Sequence, residues 1–484
     1  MGQLKPPSPL AVIYTLPEIK CFFYHKFADK TILMEVIALV SATHALPPAW
    51  LVIPFVVLLL MIATGPLFYH HIWERYYPVF AFLLGFPVVL YYLFILNDAE
   101  HPVHTLFEYI SFLSLIGSLF IASSGILIKI KGETHPLANV LLLGIGAVLA
   151  NIIGTTGASI LLIRPYMRLN KHRISTYHIV FFIFVVSNVG GSLTPIGDPP
   201  LFLGFLKGVP FFWTVEHMFF PWLFGVGLIL LLFYFLDNRR WKAWLKEQGK
   251  DSSKFSFGLE FKGLLNVLWL AIIIGSVFLD PAILPWLPAV NYHGERFSII
   301  REIIMISVAI MAYLLANKEI LKENNFNFEP IKEVGFLFLG IFATMMPALQ
   351  LVSAFAHSPE GLKLISESTL YWLTGSLSSV LDNAPTYLTF LAAAMGKYGL
   401  DINLKGDVLQ FVHNYPDYLI AISIAAVFFG AMTYIGNAPN FMVRNIAEQS
   451  GVDMPSFGGY IAKYSMVYLL PILALTFLVF VIAL

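Results

Sequence analysis

The stretch that decides the fold is Ser187-Asn-Val-Gly-Gly-Ser-Leu-Thr-Pro-Ile-Gly-Asp-Pro-Pro200. Pro195, Pro199 and Pro200 remove backbone donors and three glycines loosen the backbone, so this segment of an apolar chain is not one continuous helix. Irregular backbone at membrane depth is tolerated only where it is buried in protein or faces a water-filled cavity. The stretch is therefore a candidate binding site, because its released carbonyls and half-helix ends can hold an ion.

The composition places this stretch in a membrane. Of 484 residues, 58% are hydrophobic and 12% are charged, and the mean hydropathy is +0.78. Lys plus Arg and Asp plus Glu both number 29, which excludes a nucleic-acid binder. The single cysteine, Cys21, excludes a disulfide framework and a Cys-ligated zinc site. We expect an all-α polytopic membrane protein in a lipid bilayer, with no cofactor.

Apolar stretches of about one bilayer length predict about 11 spans. Two further apolar segments, 137–164 and 369–395, have a polar break in the middle and are predicted to be re-entrant hairpins. The predicted spans lie near 31–46, 49–65, 78–96, 106–129, 174–208, 219–237, 263–280, 299–316, 333–356, 418–445 and 460–484.

Charge gives the spans a direction. With the N-terminus in the cytoplasm, 23 of the 29 Lys and Arg residues fall on the cytoplasmic side, as the positive-inside rule requires. Segment 137–164 has basic residues at both ends and 369–395 has few at either end, so the two hairpins are expected to enter from opposite sides. We predict a multi-pass protein of the inner (plasma) membrane.

Two motifs recur along the chain. Val-Leu-Ala-Asn at 148–151 matches Val-Leu-Asp-Asn at 380–383, an offset of 232 residues. Thr-Pro-Ile-Gly-Asp-Pro-Pro at 194–200 matches Thr-Tyr-Ile-Gly-Asn-Ala-Pro at 433–439, an offset of 239. Both halves have the same order of spans, hairpin and broken span, in opposite orientations. The pattern predicts an inverted-topology repeat, a common build of secondary transporters.

This repeat divides the chain into four segments. They are an N-terminal segment with one extra span (1–48), a first repeat (49–237, with hairpin 137–164 and broken helix 174–208), a cytoplasmic linker (238–262), and a second repeat (263–484, with hairpin 369–395 and broken helix 418–445).

The breaks carry carboxylates and neutral oxygens. Asp198 lies in the first broken span and Asp382 in the second hairpin, and the matching position in the other half is uncharged in both cases. Such oxygen ligands suit a hard cation such as Na⁺. Desolvation favours a protonated carboxylate and a bound cation favours an ionised one, so one Asp can hold either H⁺ or Na⁺. The neutral oxygens come from Asn151, Thr155, Thr156, Ser187, Asn188, Ser192, Thr194, Asn383, Thr386, Thr433 and Asn437.

The stretch 187–200 resembles the signature of the ion transporter superfamily, and 433–439 resembles its second-half counterpart. That superfamily includes NhaD-type sodium/proton antiporters, citrate-type carboxylate carriers and arsenite-pump/P-protein permeases. The resemblance implies a scaffold domain that often forms a homodimer, and a transport domain with two opposed hairpins.

The resemblance also implies where the ion binds. It places Asp198, Asp382, Asn151, Asn383 and Asn437 at or near the ion, with possible Na⁺ contacts at the first four. The predicted set of ion- and proton-binding residues further includes Asn188, Thr194, Thr433, Gly197 and Gly436.

The hairpin tips favour a cation as the cargo. Carboxylate carriers of the superfamily typically have Ser-Asn-Thr at both tips, whereas this chain has Ala-Asn-Ile at 150–152 and Asp-Asn-Ala at 382–384. The acid at Asp382 should repel an anion unless Na⁺ neutralises it. We expect a Na⁺(Li⁺)/H⁺ antiporter; the alternative is a Na⁺- or H⁺-coupled carrier of citrate, another carboxylate or an oxyanion.

Other classes of protein fit the sequence less well. An aspartyl protease needs two carboxyls that share a proton, but Asp198 and Asp382 fall in non-equivalent motifs. Two opposed hairpins favour alternating access over a passive channel. We therefore expect a transporter and not an enzyme.

Overall fold

The described part of the chain is mostly helical, with two small two-stranded sheets. Most of the predicted N-terminal segment, with its span at 31–46, lies outside the described residues. The computed structural model describes residues 46–132, 134–249, 257–281, 283–292 and 295–483.

Helices dominate because the chain is apolar and a backbone in lipid must satisfy its own hydrogen bonds. The helices are α1 (Ile53–Phe68), α2 (His70–Phe94), α3 (Glu100–Ser124), α4 (Pro136–Leu169), α5 (Thr176–Val185), α6 (Pro199–Lys207), α7 (Phe211–Glu247), α8 (Leu264–Ser276), α9 (Ile300–Leu314), α10 (Lys318–Glu323), α11 (Glu329–Ala356), α12 (Pro359–Leu364), α13 (Glu367–Ser378), α14 (Asn383–Lys397), α15 (Lys405–Asn414), α16 (Pro416–Phe429), α17 (Ala438–Gln449), α18 (Phe457–Tyr460) and α19 (Leu470–Phe477). The strands are β1 (Leu127–Gly132), β2 (Phe257–Lys262), β3 (Val290–Tyr292) and β4 (Glu295–Phe297).

Among the described residues, seven helical segments are long and apolar enough to cross a membrane, or eight if the bent pair α15–α16 forms one span. This is a polytopic membrane protein. The helices α8 and α9 coincide with predicted spans but have only 13 and 15 residues, fewer than the roughly 20 that a straight span needs. The total of about 11 spans stays a prediction.

Helix α4 reverses its direction in the middle. Gly154 has φ +78° and ψ 156°, a conformation that only glycine adopts without strain. A Cβ added at Gly146 would lie 3.1 Å from Cδ1 of Leu162. In a straight helix these residues would be about 24 Å apart, so the two arms of α4 lie side by side as a hairpin.

A second reversal joins α13 to α14. The two helices pack against each other across the break at 379–382. At the open end, Nζ of Lys397 donates to the carbonyl of Ile365 at 2.7 Å, although the two residues are 32 apart in sequence. Both segments predicted as hairpins therefore double back; their entry from opposite sides of the membrane stays a prediction.

The two broken spans have the same local geometry. Each first arm, α5 or α16, ends in a short 3₁₀ turn, at Val189–Ser192 and at Gly430–Met432. Each second arm begins at a residue in extended conformation, Asp198 (φ −141°, ψ 143°) or Asn437 (φ −153°, ψ 139°). The matching motifs at 194–200 and 433–439 thus fold alike.

The short second arm of each broken span packs against the hairpin of the other half. Helix α6 of the first broken span packs against α14 of the second hairpin, and α17 of the second broken span packs against α4. The first arms, α5 and α16, are almost wholly buried. Large apolar side chains on α1, α2, α7, α8 and α9 are exposed, as expected of helices that face lipid.

The predicted linker 238–262 is largely part of the folded structure. Helix α7 continues to Glu247, and β2 pairs antiparallel with β1, with an ion pair of 2.7 Å between Lys131 and Glu260. Residues 250–256 lie outside the described residues. The sequence prediction missed this sheet because β1 follows the apolar run of α3 without a strong break.

We predict that Gly154→Ala destabilises the protein by about 1–3 kcal/mol, because a Cβ is strained at this φ although no neighbouring atom blocks it. Thermal unfolding of the purified protein in detergent measures this effect. Gly227→Ala in α7, with open space around it, is the matched control and should leave the melting temperature unchanged or slightly raised. Equal stability of the two variants would contradict the strained turn.

Candidate functional site

Asp198 lies at the centre of the molecule, in contact with residues from both hairpins and from the other broken span. Its side chain is 1% exposed. Oγ1 of Thr155 donates to Oδ1 at 2.7 Å, Nδ2 of Asn437 to Oδ1 at 2.9 Å, and Nδ2 of Asn383 to Oδ2 at 2.6 Å. None of the ion pairs between described residues includes Asp198. The carboxylate is held by three neutral donors.

Four helix starts converge on this carboxylate. Asp198 precedes α6 and Asn437 precedes α17, as their N-terminal caps. Asn383 is the first residue of α14, and Thr155 begins the second arm of α4 after the turn at Gly154. A helix N-terminus carries partial positive charge. The fold therefore surrounds one acid with four favourable dipoles, and no basic side chain of the described residues pairs with it.

Close backbone packing holds the loop before Asp198 in place. A Cβ at Gly197 would lie 2.0 Å from the carbonyl oxygen of Gly191, so no other residue fits there. The Gly197 carbonyl accepts from the backbone N–H of Thr155 at 2.8 Å. This bond locks the tip of the first hairpin to the broken span beside Asp198. The predicted site residue Gly197 thus shapes the site through its backbone.

Asn151 builds this loop, and none of its hydrogen bonds to the described residues goes to Asp198. Its Nδ2 donates to the carbonyls of Ala147 (2.9 Å) and Gly190 (2.6 Å), and its Oδ1 accepts from the backbone of Leu193 (2.9 Å) and Thr194 (3.2 Å). The hydroxyl of Thr194 donates to the Asn151 carbonyl at 2.7 Å. All polar side-chain atoms of Asn151 are engaged, so these bonds position the loop.

Thr433 has the same role as Thr194 in the second half. Its hydroxyl donates to the carbonyl of Ser379, as that of Thr194 does to Asn151. A Cβ at Gly436 would lie 2.6 Å from the carbonyl of Ser378, so the second loop also packs tightly against its hairpin. Thr194, Thr433 and Gly436 therefore support the site from outside the carboxylate cluster.

These contacts pair the residues of the two hairpins differently from the sequence motif. The hydroxyls of Thr194 and Thr433 donate to the carbonyls of Asn151 and Ser379, so these two residues are structurally equivalent. The sequence motif instead aligns Asn151 with Asn383. Asn151 precedes the reversal in its hairpin, and Asn383 follows the reversal in the other. The counterpart of Asn383 is Thr155, because both donate to Asp198 at the start of a second arm. The repeat at 148–151 and 380–383 is thus displaced by one helical turn.

Thr155 is one of the eleven residues in the breaks that carry a neutral side-chain oxygen, but it is not among the predicted site residues. Its position directly after the glycine of the hairpin turn was the available signal, because the residue that begins the second arm faces the break.

Two buried amide oxygens at the site have no hydrogen-bond donor among the described residues. They are Oδ1 of Asn383 and Oδ1 of Asn188. Nδ2 of Asn188 donates to the Ile183 carbonyl (2.9 Å) and to Oδ1 of Asn440 (2.7 Å). A Cβ at Gly430 would lie 2.9 Å from Oδ1 of Asn188 and 3.5 Å from Nδ2 of Asn383. Both amides thus border a space that Gly430 keeps open.

Asp382 has a different environment from Asp198. It is half-buried and caps α14, with Oδ1 accepting from the backbone N–H of Ala384 at 3.0 Å. It immediately precedes Asn383, which reaches Asp198. No group of three or more His, Cys, Asp or Glu side chains with the spacing of a metal centre occurs among the described residues. The carboxylate and amide oxygens of the site would suit a weakly held hard cation.

A buried acid at the meeting point of broken helices, inside a polytopic helical protein, is typical of a membrane transporter. A family model described as "Putative citrate transport" matches residues 43–481, and the chain belongs to this family. This family agrees with the superfamily that the stretch 187–200 resembles. No curated protein matches the chain.

We predict that Asn151→Ala lowers the free energy of unfolding by about 1–3 kcal/mol, because it leaves buried backbone groups of the loop without partners. Thermal unfolding in detergent measures the loss. Ile152→Ala is the matched control, since Ile152 lies on the same arm with its side chain 42% exposed. An Asn151→Ala variant of full stability that no longer binds the cargo would instead make Asn151 a direct ligand.

Proposed function

We propose that this protein is a secondary active transporter that exchanges Na⁺ or Li⁺ for H⁺ at Asp198. The observation that carries the proposal is the buried Asp198 carboxylate, which three neutral donors and four helix N-termini surround. The protein's own acid occupies the position at which such helix ends would otherwise receive an anion. A site that already holds a negative charge favours a cation or a proton as cargo.

In the proposed cycle, one carboxylate alternates between two occupants. The donors to Asp198 stabilise its ionised form between cargoes. A proton neutralises the carboxylate directly, whereas a cation requires oxygen ligands in addition. Oδ1 of Asn383 and Oδ1 of Asn188 supply buried acceptors for it, and the amide of Asn383 can turn from donating to Asp198 to coordinating the cation. Because the two occupants compete, each displaces the other.

Asp382 has a supporting role in this proposal. It caps the helix that carries Asn383 and adds negative charge next to it. We propose that this charge increases the occupancy of a cation at Asp198 without necessarily contacting it. From the resemblance to the superfamily, we further propose that the protein is a homodimer in the inner membrane. Its N-terminus would lie in the cytoplasm.

A second candidate is a Na⁺- or H⁺-coupled carrier of citrate or another carboxylate. Two observations favour it: the family match and the convergence of helix N-termini, which suits an anion once Asp198 is neutralised. The same residues would then hold the coupling ion, and the carboxylate would bind next to it.

Asp198→Asn is expected to abolish exchange while the protein still folds, because Asn preserves the shape but has no titratable proton and no negative charge to balance a cation. Asp382→Asn preserves the cap of α14, since Asn caps helices as well as Asp does, and should reduce or abolish exchange through the lost charge alone. A pH-sensitive dye in reconstituted vesicles with an imposed pH gradient measures the rates. Full exchange in Asp198→Asn would exclude the proposed site.

The cargo is identified in the same vesicles. Addition of NaCl or LiCl should collapse the pH gradient, whereas KCl serves as the comparison and empty vesicles as the control. Na⁺-dependent uptake of labelled citrate, with no response of the pH gradient to cations alone, would contradict antiport and support the carboxylate carrier. Loss of that uptake in Asp198→Asn would then assign Asp198 to the coupling ion.

A further inference from the structure

Two of the helices that begin at the site are joined to each other at their far ends. Helix α6 extends from its cap, Asp198, to its last residue, Lys207, over nine residues or about 13 Å. Helix α14 begins at Asn383, packs beside α6, and leads into the loop that contains Asn403. Nζ of Lys207 donates to Oδ1 of Asn403 at 2.9 Å. Lys207 thus connects α6 to the loop after α14, and these are two of the four helices that begin at Asp198.

Lys207 also contacts a helix outside that pair. Its Nζ lies 2.9 Å from Oε1 of Glu108 on α3, and Nδ1 of His104 lies 3.2 Å from the same oxygen. The side chains of Lys207 and Glu108 are 3% and 8% exposed. This buried ion pair joins α6, with the site at its other end, to α3.

Packing around the ion pair leaves only a small gap. A cavity of about 10 Å³, about enough for one water molecule, lies beside it, lined by Thr105 of α3 and by Met345 and Met346 of α11, among others. Methionine adapts to changing neighbours. A buried ion pair is also a weak source of net stability compared with apolar packing. These features suit an interface whose two sides separate.

We propose that the Lys207–Glu108 ion pair is a latch between the site-bearing helices and α3, which opens and closes again in each transport cycle. The proposal rests on the transport function proposed above. In the closed state, Lys207 holds the far ends of α6 and of the loop after α14 against α3. Opening of the latch frees these helices to move with the cargo and exposes the cavity beside it.

The first test measures the exposure of that cavity and needs no cargo. In a Cys21→Ser background, which removes the single cysteine, Met346→Cys provides a reporter that is 5% exposed in its native form. Maleimide labelling of purified protein in nanodiscs is compared for Lys207→Met, for Glu108→Gln and for the charge exchange Lys207→Glu with Glu108→Lys. Lys397→Met is the control, because Nζ of Lys397 binds Ile365 and Tyr418 and not α3.

The expected result is labelling about tenfold faster or more in the two single variants, on the scale of a lost buried partner. The charge exchange should restore slow labelling, and Lys397→Met should label at the reference rate. Unchanged labelling in folded Lys207→Met and Glu108→Gln, or fast labelling in a folded charge exchange, overturns the latch.

A second measurement leaves Lys207 and Glu108 intact, in case those variants do not fold. Phe112 on α3 and Phe202 on α6 have ring centroids 6.4 Å apart. Hg²⁺ that bridges Phe112→Cys and Phe202→Cys should arrest transport by at least about tenfold, and a reducing thiol should restore it. Full transport by the bridged protein overturns the latch. If the unbridged protein moves no cargo, the proposed function has failed, and the labelling result still decides the latch.

Discussion

The structure depends on the burial of one carboxylate, Asp198, without a basic partner. A buried charge is costly unless hydrogen bonds and oriented dipoles stabilise it. Here the stabilisation comes from Thr155, Asn383 and Asn437, each at the start of a helical arm. Each break in the two hairpins and the two broken spans places a helix N-terminus next to Asp198. The breaks are therefore features of the site and not defects of the helices.

The same constraint explains why the second arm of each broken span packs against the hairpin of the other half. If α6 packed only within its own half, Asp198 could not meet Asn437 and Asn383 together. Packing of α6 on α14 and of α17 on α4 brings the two broken spans into contact. Asn151, Thr194 and Thr433 then fix the loops through bonds to backbone carbonyls. The site thus depends on an outer layer of positioning residues that never contact the acid.

A site that binds and releases its cargo needs a neighbouring interface that is not permanently closed. The Lys207–Glu108 pair lies about one short helix away from Asp198, beside a cavity about the size of one water molecule. The first arms α5 and α16 are buried by apolar residues, whereas α6 meets α3 through this ion pair. In the proposed cycle the apolar arms form a stable centre and the ion pair is the boundary that opens, so the two ends of α6 have different roles.

The sequence by itself determined the membrane setting, the two broken spans and the two reversals, because proline, glycine and buried polar residues have few other uses in apolar helices. It also singled out Asp198, Asn383 and Asn437 as candidate site residues, and the structure brings their side chains together. Only the tertiary structure decided that Thr155 joins them and that Asn151 supports the loop instead. A four-residue match cannot distinguish one side of a turn from the other, since a shift of one helical turn preserves the facing side chains. The β1–β2 pairing and the Lys207–Glu108 contact were likewise invisible in the sequence, because each joins residues roughly 100 or more positions apart.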